Sequence, residues 1–486
     1  MSVALMWLML LLPVAAALGV VFTGQHPNRR ETVTVVSGVL LFLLAAGLAG
    51  NVSWDVAPRL VLAEPIAGLA LAFSPEPLGV MFALLASFLW PVTSVYAIGY
   101  MRAHHEQNQT RFYAAFALSI GAVMGIALAA NMFTLFVFYE LLTVTTYPLV
   151  THAGTDAARR AGRVYLGLLM GTSIVFLLLA MIWTWQLTGT LEFTPGGVFG
   201  GLVVDVGGPV LGTLLVLYVI GTGKAALMPF HRWLPAAMVA PTPVSALLHA
   251  VAVVKAGVFT ILKVVVYLFG IDTVAKIAAA DWLAALAALT ILLGSLVAMT
   301  QDNLKARLAY STISQLSYIV LGAMLGVAAG VIGGGMHVVM HAFGKITLFF
   351  CAGAILVAAH KTRVSELDGL GRTMPWTMLA FLIGALSVVG LPPFGGTWSK
   401  WWLVQGTLDT GAWMLTAVLL ISSLLNILYL VVIPVRGFFA SPATPSIGIR
   451  EAPWPSLLAI GCTALGCVVL FFWPDALFRL INEVPR

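Results

Sequence analysis

Residues 221–238 read GTGKAALMPFHRWLPAAM and lie between two long apolar runs, where a membrane helix would be expected to continue. The stretch nevertheless contains Lys224, Pro229, His231 and Arg232. Proline removes a backbone donor and clashes with the preceding turn, so we expect Pro229 to break its helix one turn after Lys224. Broken membrane helices occur where the freed backbone lines protein or a water-filled cavity. The stretch therefore predicts a broken helix that places an amine beside such a cavity.

The composition of the whole chain places this stretch in a membrane protein. Of 486 residues, 61% are apolar and only 9% are charged, against roughly 25% charged in a typical soluble domain. Apolar runs of about 18 residues or more, each long enough to span a bilayer, recur along the chain. We predict an all-α integral membrane protein with about 14 transmembrane helices, forming a single polytopic domain over residues 1–486.

Basic residues are concentrated in alternate connections between the predicted spans. They are Arg29, Arg30, Arg102, Arg111, Arg159, Arg160, Arg163, Arg232, Lys305, Arg307, Lys361, Arg363, Arg372, Arg436 and Arg450. The positive-inside rule assigns these connections to the cytoplasm, which places both termini outside it, as in a multi-pass protein of the cell inner membrane. The net charge of +6 then reflects topology, and we predict the lipid bilayer as the surroundings and no nucleic acid as a partner.

Five lysines remain inside the predicted spans, and one acid lies near the centre of a span. The lysines are Lys224, Lys255, Lys263, Lys345 and Lys400, and the acid is Glu140 in NMFTLFVFYELLTVTTYPLV (131–150). We expect Lys263 to reach the interface by snorkelling, since it lies near the end of its helix. An ionised group at mid-membrane costs about 2.5–3.5 kcal/mol, which favours a functional role for the deeper ones. A structural ion pair between helices is the alternative.

Lysine is suited to proton transfer in such surroundings, because burial disfavours its charged form and a nearby carboxylate favours it. Arginine cannot deprotonate in proteins. In GGGMHVVMHAFGKITLFF (333–350), His337, His341 and Lys345 follow at i, i+4 and i+8 and share one helix face. This spacing predicts a proton relay; a metal site at the two histidines is the alternative, although no acid or cysteine is near to complete it.

His249 and Lys255 are six residues apart in PTPVSALLHAVAVVKAGVF (241–259) and therefore lie on different faces of a helix. Either of them is a candidate relay group, and a hydrogen-bonded core histidine is the alternative for His249. The chain contains no P-loop, no metalloprotease motif and no haem-attachment motif. We therefore predict no cofactor and no metal site, and no redox or nucleotide chemistry in this chain itself.

A second break is predicted where Pro392 and Pro393 interrupt an apolar run shortly before Lys400. The two breaks contain similar sequences, PFHRW and PFGGTW, and this similarity favours an internal repeat. We predict one repeat over residues 112–270 and another over 281–439, preceded by N-terminal helices (1–111) and followed by a C-terminal helix (440–486). Broken helices near the midplane mark ion sites in transporters built from such repeats.

Several motifs occur together in a characteristic order: FYELLTVTTYPLV, GKAALMPFHRWLPAAMVAPTPVSALLHA, KARLAYSTISQLSYIVLG, HAFGKITLFF and GLPPFGGTWSKWW. They resemble the antiporter-like membrane subunits of respiratory complex I, energy-converting hydrogenases and Mrp-type cation/proton antiporters. The predicted length, without a long C-terminal lateral helix, is most similar to the D-type subunit of the Mrp antiporters. The resemblance implies two inverted five-helix repeats, each with a broken helix, and a hydrated charged axis in the membrane plane.

Position by position, the resemblance implies that Glu140 partners Lys224 at the first break. It places Lys255 or His249 next, Lys345 with His341 in the second half, and Lys400 at the end of the axis. The implied function is proton translocation within a multisubunit cation/proton antiporter, with other membrane subunits as partners and protons, sodium or potassium as transported ions. The alternative is a proton-pumping subunit of a complex I-like NADH–quinone oxidoreductase or energy-converting hydrogenase.

Overall fold

Helices form nearly every predicted span of the chain in the computed structural model, which describes residues 2–52, 57–200, 207–247, 252–442 and 448–484. The helices of the first half are α1 (Ser2–Phe22), α2 (Pro27–Asn51), α3 (Pro77–Ala103), α4 (Gln109–Ala127), α5 (Met132–Val150), α6 (Asp156–Thr188), α7 (Gly208–Gly221), α8 (Trp233–Ala236), α9 (Thr242–Ala246), α10 (Val253–Lys263) and α11 (Ile271–Val274). Those of the second half are α12 (Ala278–Thr300), α13 (Leu304–Met324), α14 (Ala328–Ala359), α15 (Pro375–Val389), α16 (Gly396–Asp409), α17 (Trp413–Phe439), α18 (Trp454–Phe472) and α19 (Asp475–Asn482).

Ten of the described helices are long and apolar enough to cross a membrane, and α7 and α15 are shorter apolar helices that each end at a break. Helix α6 contains a π-helical turn at Ser173–Leu177, α10 continues into one at Val264–Phe269, and α17 contains one at Ile427–Val431. The prediction of a helical integral membrane protein is confirmed. The figure of 14 spans and the inverted relation between residues 112–270 and 281–439 stay predictions.

A β-hairpin lies between two helices of this mostly helical chain. Strands β1 (Leu60–Ile66) and β2 (Leu69–Phe73) pair antiparallel in the connection between α2 and α3. The backbone of β2 is joined to the loop before α5, since Ala130 N donates to Ala72 O at 2.9 Å. That loop is joined in turn to the segment after α6, since Phe193 N donates to Ala130 O at 3.0 Å. The hairpin thus satisfies the backbone of loops at one end of the helices, which we call the hairpin end.

The opposite end of the bundle carries basic side chains, and we call it the basic end. Arg102, at the last turn of α3, donates to Asn28 and Glu31 beside the start of α2. Arg111, at the start of α4, donates to the His152 carbonyl just after α5, at 2.9 Å. These hydrogen bonds join the α1–α2, α3–α4 and α5–α6 connections, which are three of the connections predicted to be cytoplasmic.

Candidate proton pathway

The first break begins before Lys224 and not after it, which corrects the position predicted from Pro229. Helix α7 ends at Gly221, and Lys224 lies in a 3-10 turn at Gly223–Ala225. Side chains of other segments satisfy the freed backbone: Lys224 N donates to the Tyr139 hydroxyl at 3.1 Å, and Trp233 Nε1 donates to Gly223 O at 3.0 Å. Partners from outside the helix therefore set the break, and Pro229 lies within the irregular segment that follows.

The buried Lys224 amine is held by helix α5. Its Nζ donates to Tyr139 O at 2.8 Å and to Thr143 Oγ1 at 2.6 Å, and it lies 3.2 Å from the centroid of the Tyr139 ring. Glu140 lies between these partners on α5, but among the described residues no contact within 4.0 Å joins its carboxylate to the amine, so the expected direct ion pair is not formed. Both Glu140 carboxylate oxygens are buried and accept no hydrogen bond from the described residues.

Lys255 joins the two predicted halves of the chain. It lies on α10, is completely buried, and its Nζ is 2.7 Å from Nδ1 of His341 on α14. The two residues are 86 positions apart in sequence. This contact favours Lys255 as the group that follows Lys224; the other candidate, His249, lies outside the described residues.

Aromatic rings continue the line of polar groups beyond His341. The rings of His341 and His337 stack with centroids 5.5 Å apart, and His337 stacks on Tyr318 of α13 at 5.7 Å. Lys400 Nζ lies 4.8 Å from the centroid of the Tyr318 ring. The structure thus brings Lys255, His341, His337 and Lys400 together, as the predicted relay requires.

The second break lies one turn before Lys400, as the prolines at 392 and 393 predict. Helix α15 ends at Val389, where Gly390 adopts a left-handed backbone with φ of 88°, and α16 starts at Gly396. Lys400 Nζ donates to the freed Val389 carbonyl at 3.0 Å and to Ser423 Oγ of α17 at 2.9 Å. The amine therefore caps the broken helix, where the partial negative charge of a helix C-terminus favours a cation.

Lys345 lies on the same helix as the two histidines and contacts a separate set of hydroxyl groups. Its Nζ donates to Ser311 Oγ at 2.5 Å, and the Tyr429 hydroxyl donates to the same oxygen at 3.1 Å. Tyr429 also contacts Asn426 Oδ1. In the part of the chain that the structure describes, no carboxylate lies within 4.0 Å of this amine, so its polar contacts there are with neutral oxygens.

Lys263 does not lie where its place in the sequence predicts. Instead of snorkelling to the interface it is completely buried, and its Nζ lies 2.7 Å from Oε1 of Glu76, the residue before α3. A buried amine of this kind needs a partner, and the partner is 187 positions away in a loop that hydropathy does not mark. The sequence does contain a deep lysine and an acid next to the start of a helix, and this combination could have predicted the pair.

The buried groups differ in how they are joined: Lys255 and His341 lie at hydrogen-bonding distance, whereas the rings of His341 and His337 stack and Lys400 lies over the Tyr318 ring. A proton can pass directly across a hydrogen bond, whereas transfer between stacked rings requires a bridging water. The Nε2 atoms of His337 and His341 are buried and have no hydrogen-bond partner among the described residues. Each of these nitrogens is therefore available to exchange a proton with a neighbouring group or water.

Comparison with known proteins identifies the family of the chain. Residues 129–426, which include Glu140 and Lys400, match the family described as NADH:quinone oxidoreductase/Mrp antiporter, TM. The chain belongs to this family. The NADH-quinone oxidoreductase subunit N of Desulforudis audaxviator is 34% identical over 456 residues, covering 88% of this chain and 89% of the relative. A probable K(+)/H(+) antiporter subunit of Rhizobium meliloti is 32% identical over 397 residues, covering 80% of this chain.

The relatives differ in length, and the fold is shared by solved complexes. The chain spans 38% of the Rhizobium antiporter protein and 60% of NAD(P)H-quinone oxidoreductase chain 5 of Synechocystis. It superposes on a chain of the Mrp complex from Dietzia with a TM-score of 0.87 at 21% identity, covering all of this chain and 97% of that one. A chain of the archaeal membrane-bound sulfane sulfur reductase gives a TM-score of 0.85 at 24% identity and covers 98% of this chain. These two likenesses establish the fold.

Proposed function

We propose that this chain is the proton-translocating membrane subunit of a multisubunit monovalent cation/proton antiporter. The observation that carries the proposal is the 2.7 Å contact between Lys255 and His341, because it links the two halves of the family domain deep in the protein. Ionisable groups in a membrane interior are costly and are kept where charge must move. Family membership and the match to an Mrp complex chain support the same conclusion.

In the proposed path a proton moves from Lys224 to Lys255, then through His341 and His337 toward Lys400. Glu140 acts on the first step, since its charge stabilises the protonated Lys224 amine when the two approach. Lys345 modulates the charge of the central histidines from the adjacent turn of α14. Each group returns to its starting protonation state once the proton has passed.

The test is transport by the complete complex in sealed vesicles, measured per assembled complex. Lys255→Met and His341→Gln are each expected to lower cation-coupled proton movement at least tenfold, because each removes one end of the central contact. Lys276→Met is the matched control, since Lys276 is an exposed lysine outside the axis. Near-native transport in either axis variant, in a complex that assembles normally, would exclude this path.

Glu140→Ala and Lys224→Ala test the first step of the path separately. Each is expected to abolish coupled transport while the protein is still expressed and assembled. Near-normal transport in either variant would refute the gating role that we give to the two residues.

The second candidate is a proton-pumping subunit of a complex I-like NADH–quinone oxidoreductase or energy-converting hydrogenase. The near full-length match to an NADH-quinone oxidoreductase subunit N favours it, and in that case electron transfer in partner subunits supplies the energy. Vesicles carrying the complete native complex distinguish the two functions. Proton movement driven by a sodium or potassium gradient alone indicates an antiporter, whereas a strict need for an electron donor and acceptor indicates the redox pump.

The superposition on 97% of one chain of an Mrp complex favours our proposal of a D-type subunit within an Mrp-like assembly. Other membrane subunits are then its partners, and the basic end faces the cytoplasm of the cell inner membrane, with both termini on the other side. The clustering of Arg102 and Arg111 at one end of the bundle supports this orientation. Labelling of single cysteines added at the two ends, with a membrane-impermeant reagent, tests it.

A further inference from the structure

A second acid–base pair lies away from the proposed axis, at the hairpin end of the bundle. Lys263 Nζ contacts Glu76 Oε1 at 2.7 Å and donates to Ala129 O at 2.6 Å. The Lys263 side chain is fully buried, whereas 15% of the Glu76 side chain is exposed. Both carboxylate oxygens of Glu76 are buried, so the exposed part of its side chain is the carbon stem, which borders a solvent-accessible space.

That space is a cavity of about 280 Å³, which is large enough to hold several water molecules. Its lining includes both members of the pair, and the other titratable groups that line it are Tyr267 and Glu483. The nearby pair of Arg59 and Glu192 is an ion pair of its own, at 2.7 Å. Among the described residues that line the cavity, Lys263 is thus the one cation, and its neighbours there are acids or neutral groups.

Helix α10 connects this cavity with the central axis. Lys255 and Lys263 are eight residues apart on α10, so they share one face with about 12 Å between them along the helix. Phe259 occupies the position between them, packs on Phe82 with ring centroids 4.8 Å apart, and lies 5.6 Å from Lys263 Nζ. An apolar ring therefore separates two amines, one at the centre of the axis and one at the hairpin end.

We propose that Glu76 and Lys263 form a proton-exchange site through which the central axis communicates with the hairpin-end surface. The Lys263 ammonium gives a proton to the Glu76 carboxylate, which leaves a neutral amine and a neutral carboxylic acid. Glu76 then releases that proton to water in the cavity, and the Lys263 amine takes the next proton from Lys255 through water admitted when the Phe259 ring moves. The net result is one proton moved from Lys255 to the surface, with no change in the pair.

A purely structural ion pair is the competing explanation, and two substitutions separate the explanations. Lys263→Arg keeps the positive charge but cannot release a proton. Glu76→Gln keeps a hydrogen-bond acceptor of the same shape but cannot carry a proton. Glu192→Gln is the matched control, because it removes the carboxylate of the exposed ion pair with Arg59 at the same end.

The measurement is cation-coupled proton transport per assembled complex in sealed vesicles. We expect Glu76→Gln and Lys263→Arg each to lower transport threefold or more, while Glu192→Gln changes it by less. Loss below threefold in the Glu76 variant overturns the proposal, as does full activity of an assembled Lys263→Arg complex. If the arginine variant does not assemble, the Glu76 variant decides.

This inference rests on the proposed function, and one further variant distinguishes failure of the exchange site from failure of the proposed function. Glu140→Gln is measured in the same preparation. If it abolishes transport while Glu76→Gln leaves transport intact, only the exchange site is wrong. If all of the variants transport normally, proton translocation by this chain is wrong.

Discussion

Gly257→Ala tests how closely the position of Lys224 is set by packing. Gly257 lies on α10 against the 3-10 turn of the first break, and a Cβ atom there would lie 2.3 Å from Ala225 N and 2.4 Å from Lys224 C. Both atoms belong to the backbone and cannot rotate away. Ordinary van der Waals contact begins at about 3.4 Å, so the turn would have to move by about 1 Å.

A shift of this size reaches the amine that the proposed path depends on. Lys224 Nζ makes its two hydrogen bonds at 2.6 and 2.8 Å, and lengthening each by about 1 Å places both beyond hydrogen-bonding distance. Overpacking of a buried site typically costs about 1–3 kcal/mol. If this cost falls on the conformation that transfers the proton, the transport rate falls roughly 5- to 150-fold.

Transport by the assembled complex and its thermal stability are measured together. Gly167→Ala is the matched control, because Gly167 lies on α6 and no described atom is within 4 Å of the position that the added methyl group would take; it is expected to leave both quantities unchanged. Native transport and native stability in Gly257→Ala would show that the turn is free to move without consequence, and would refute the reasoning.

Three further substitutions probe other parts of the molecule. Ser311→Ala removes the hydroxyl that accepts the hydrogen bond of Lys345. It is expected to lower transport about tenfold, because hydrogen bonds to charged groups contribute about 1.5–3 kcal/mol. Ser311→Thr, which keeps the hydroxyl, is the control, and equal transport by the two variants would contradict the role of the hydroxyl. Phe259→Ala removes the ring between the two lysines of α10 and is expected to raise the passive proton leak of sealed vesicles, so an unchanged leak would argue against a barrier there. At the basic end, the guanidinium of Arg436 lowers the pKa of Asp368 below its usual value. The pair therefore stabilises the fold fully above the unfolded-state pKa of about 3.9. This stabilisation is lost as the pH falls through the lower pKa that Asp368 has in the folded protein. Asp368→Asn is expected to remove this acid-dependent part of the thermal stability, and an unchanged acid profile would contradict it.

Arguments within one helix predicted the local geometry of the candidate site. The spacing of His337, His341 and Lys345 places them along one stripe because the period of an α-helix is fixed, and the two imidazole rings do stack. The second break was also predictable, because its prolines and glycines act through local geometry. The helical membrane fold follows from composition in the same way.

Contacts between distant segments could not be predicted from these rules. The contact of Lys255 with His341 depends on how α10 and α14 pack, and no periodicity encodes it. The first break starts at Gly221 because Tyr139 and Trp233, on other segments, bind its backbone. The burial of Lys263 could not be predicted either, because its partner Glu76 lies in a distant connection.

The separation of Glu140 from Lys224 suggests how the first step of the proposed path is switched. The amine is bound by Tyr139 O and Thr143 Oγ1, which share one face of α5, while Glu140 projects about 100° around the helix from Tyr139. The amine therefore lies beside two kinds of acceptor on α5: the neutral oxygens that bind it in this structure, and the carboxylate of Glu140, the residue that follows Tyr139. Neutral oxygens stabilise the ammonium form of a buried amine less than the full negative charge of a carboxylate does. In the proposed mechanism, movement of the Lys224 side chain from one set to the other is sufficient to change it between releasing a proton and holding one.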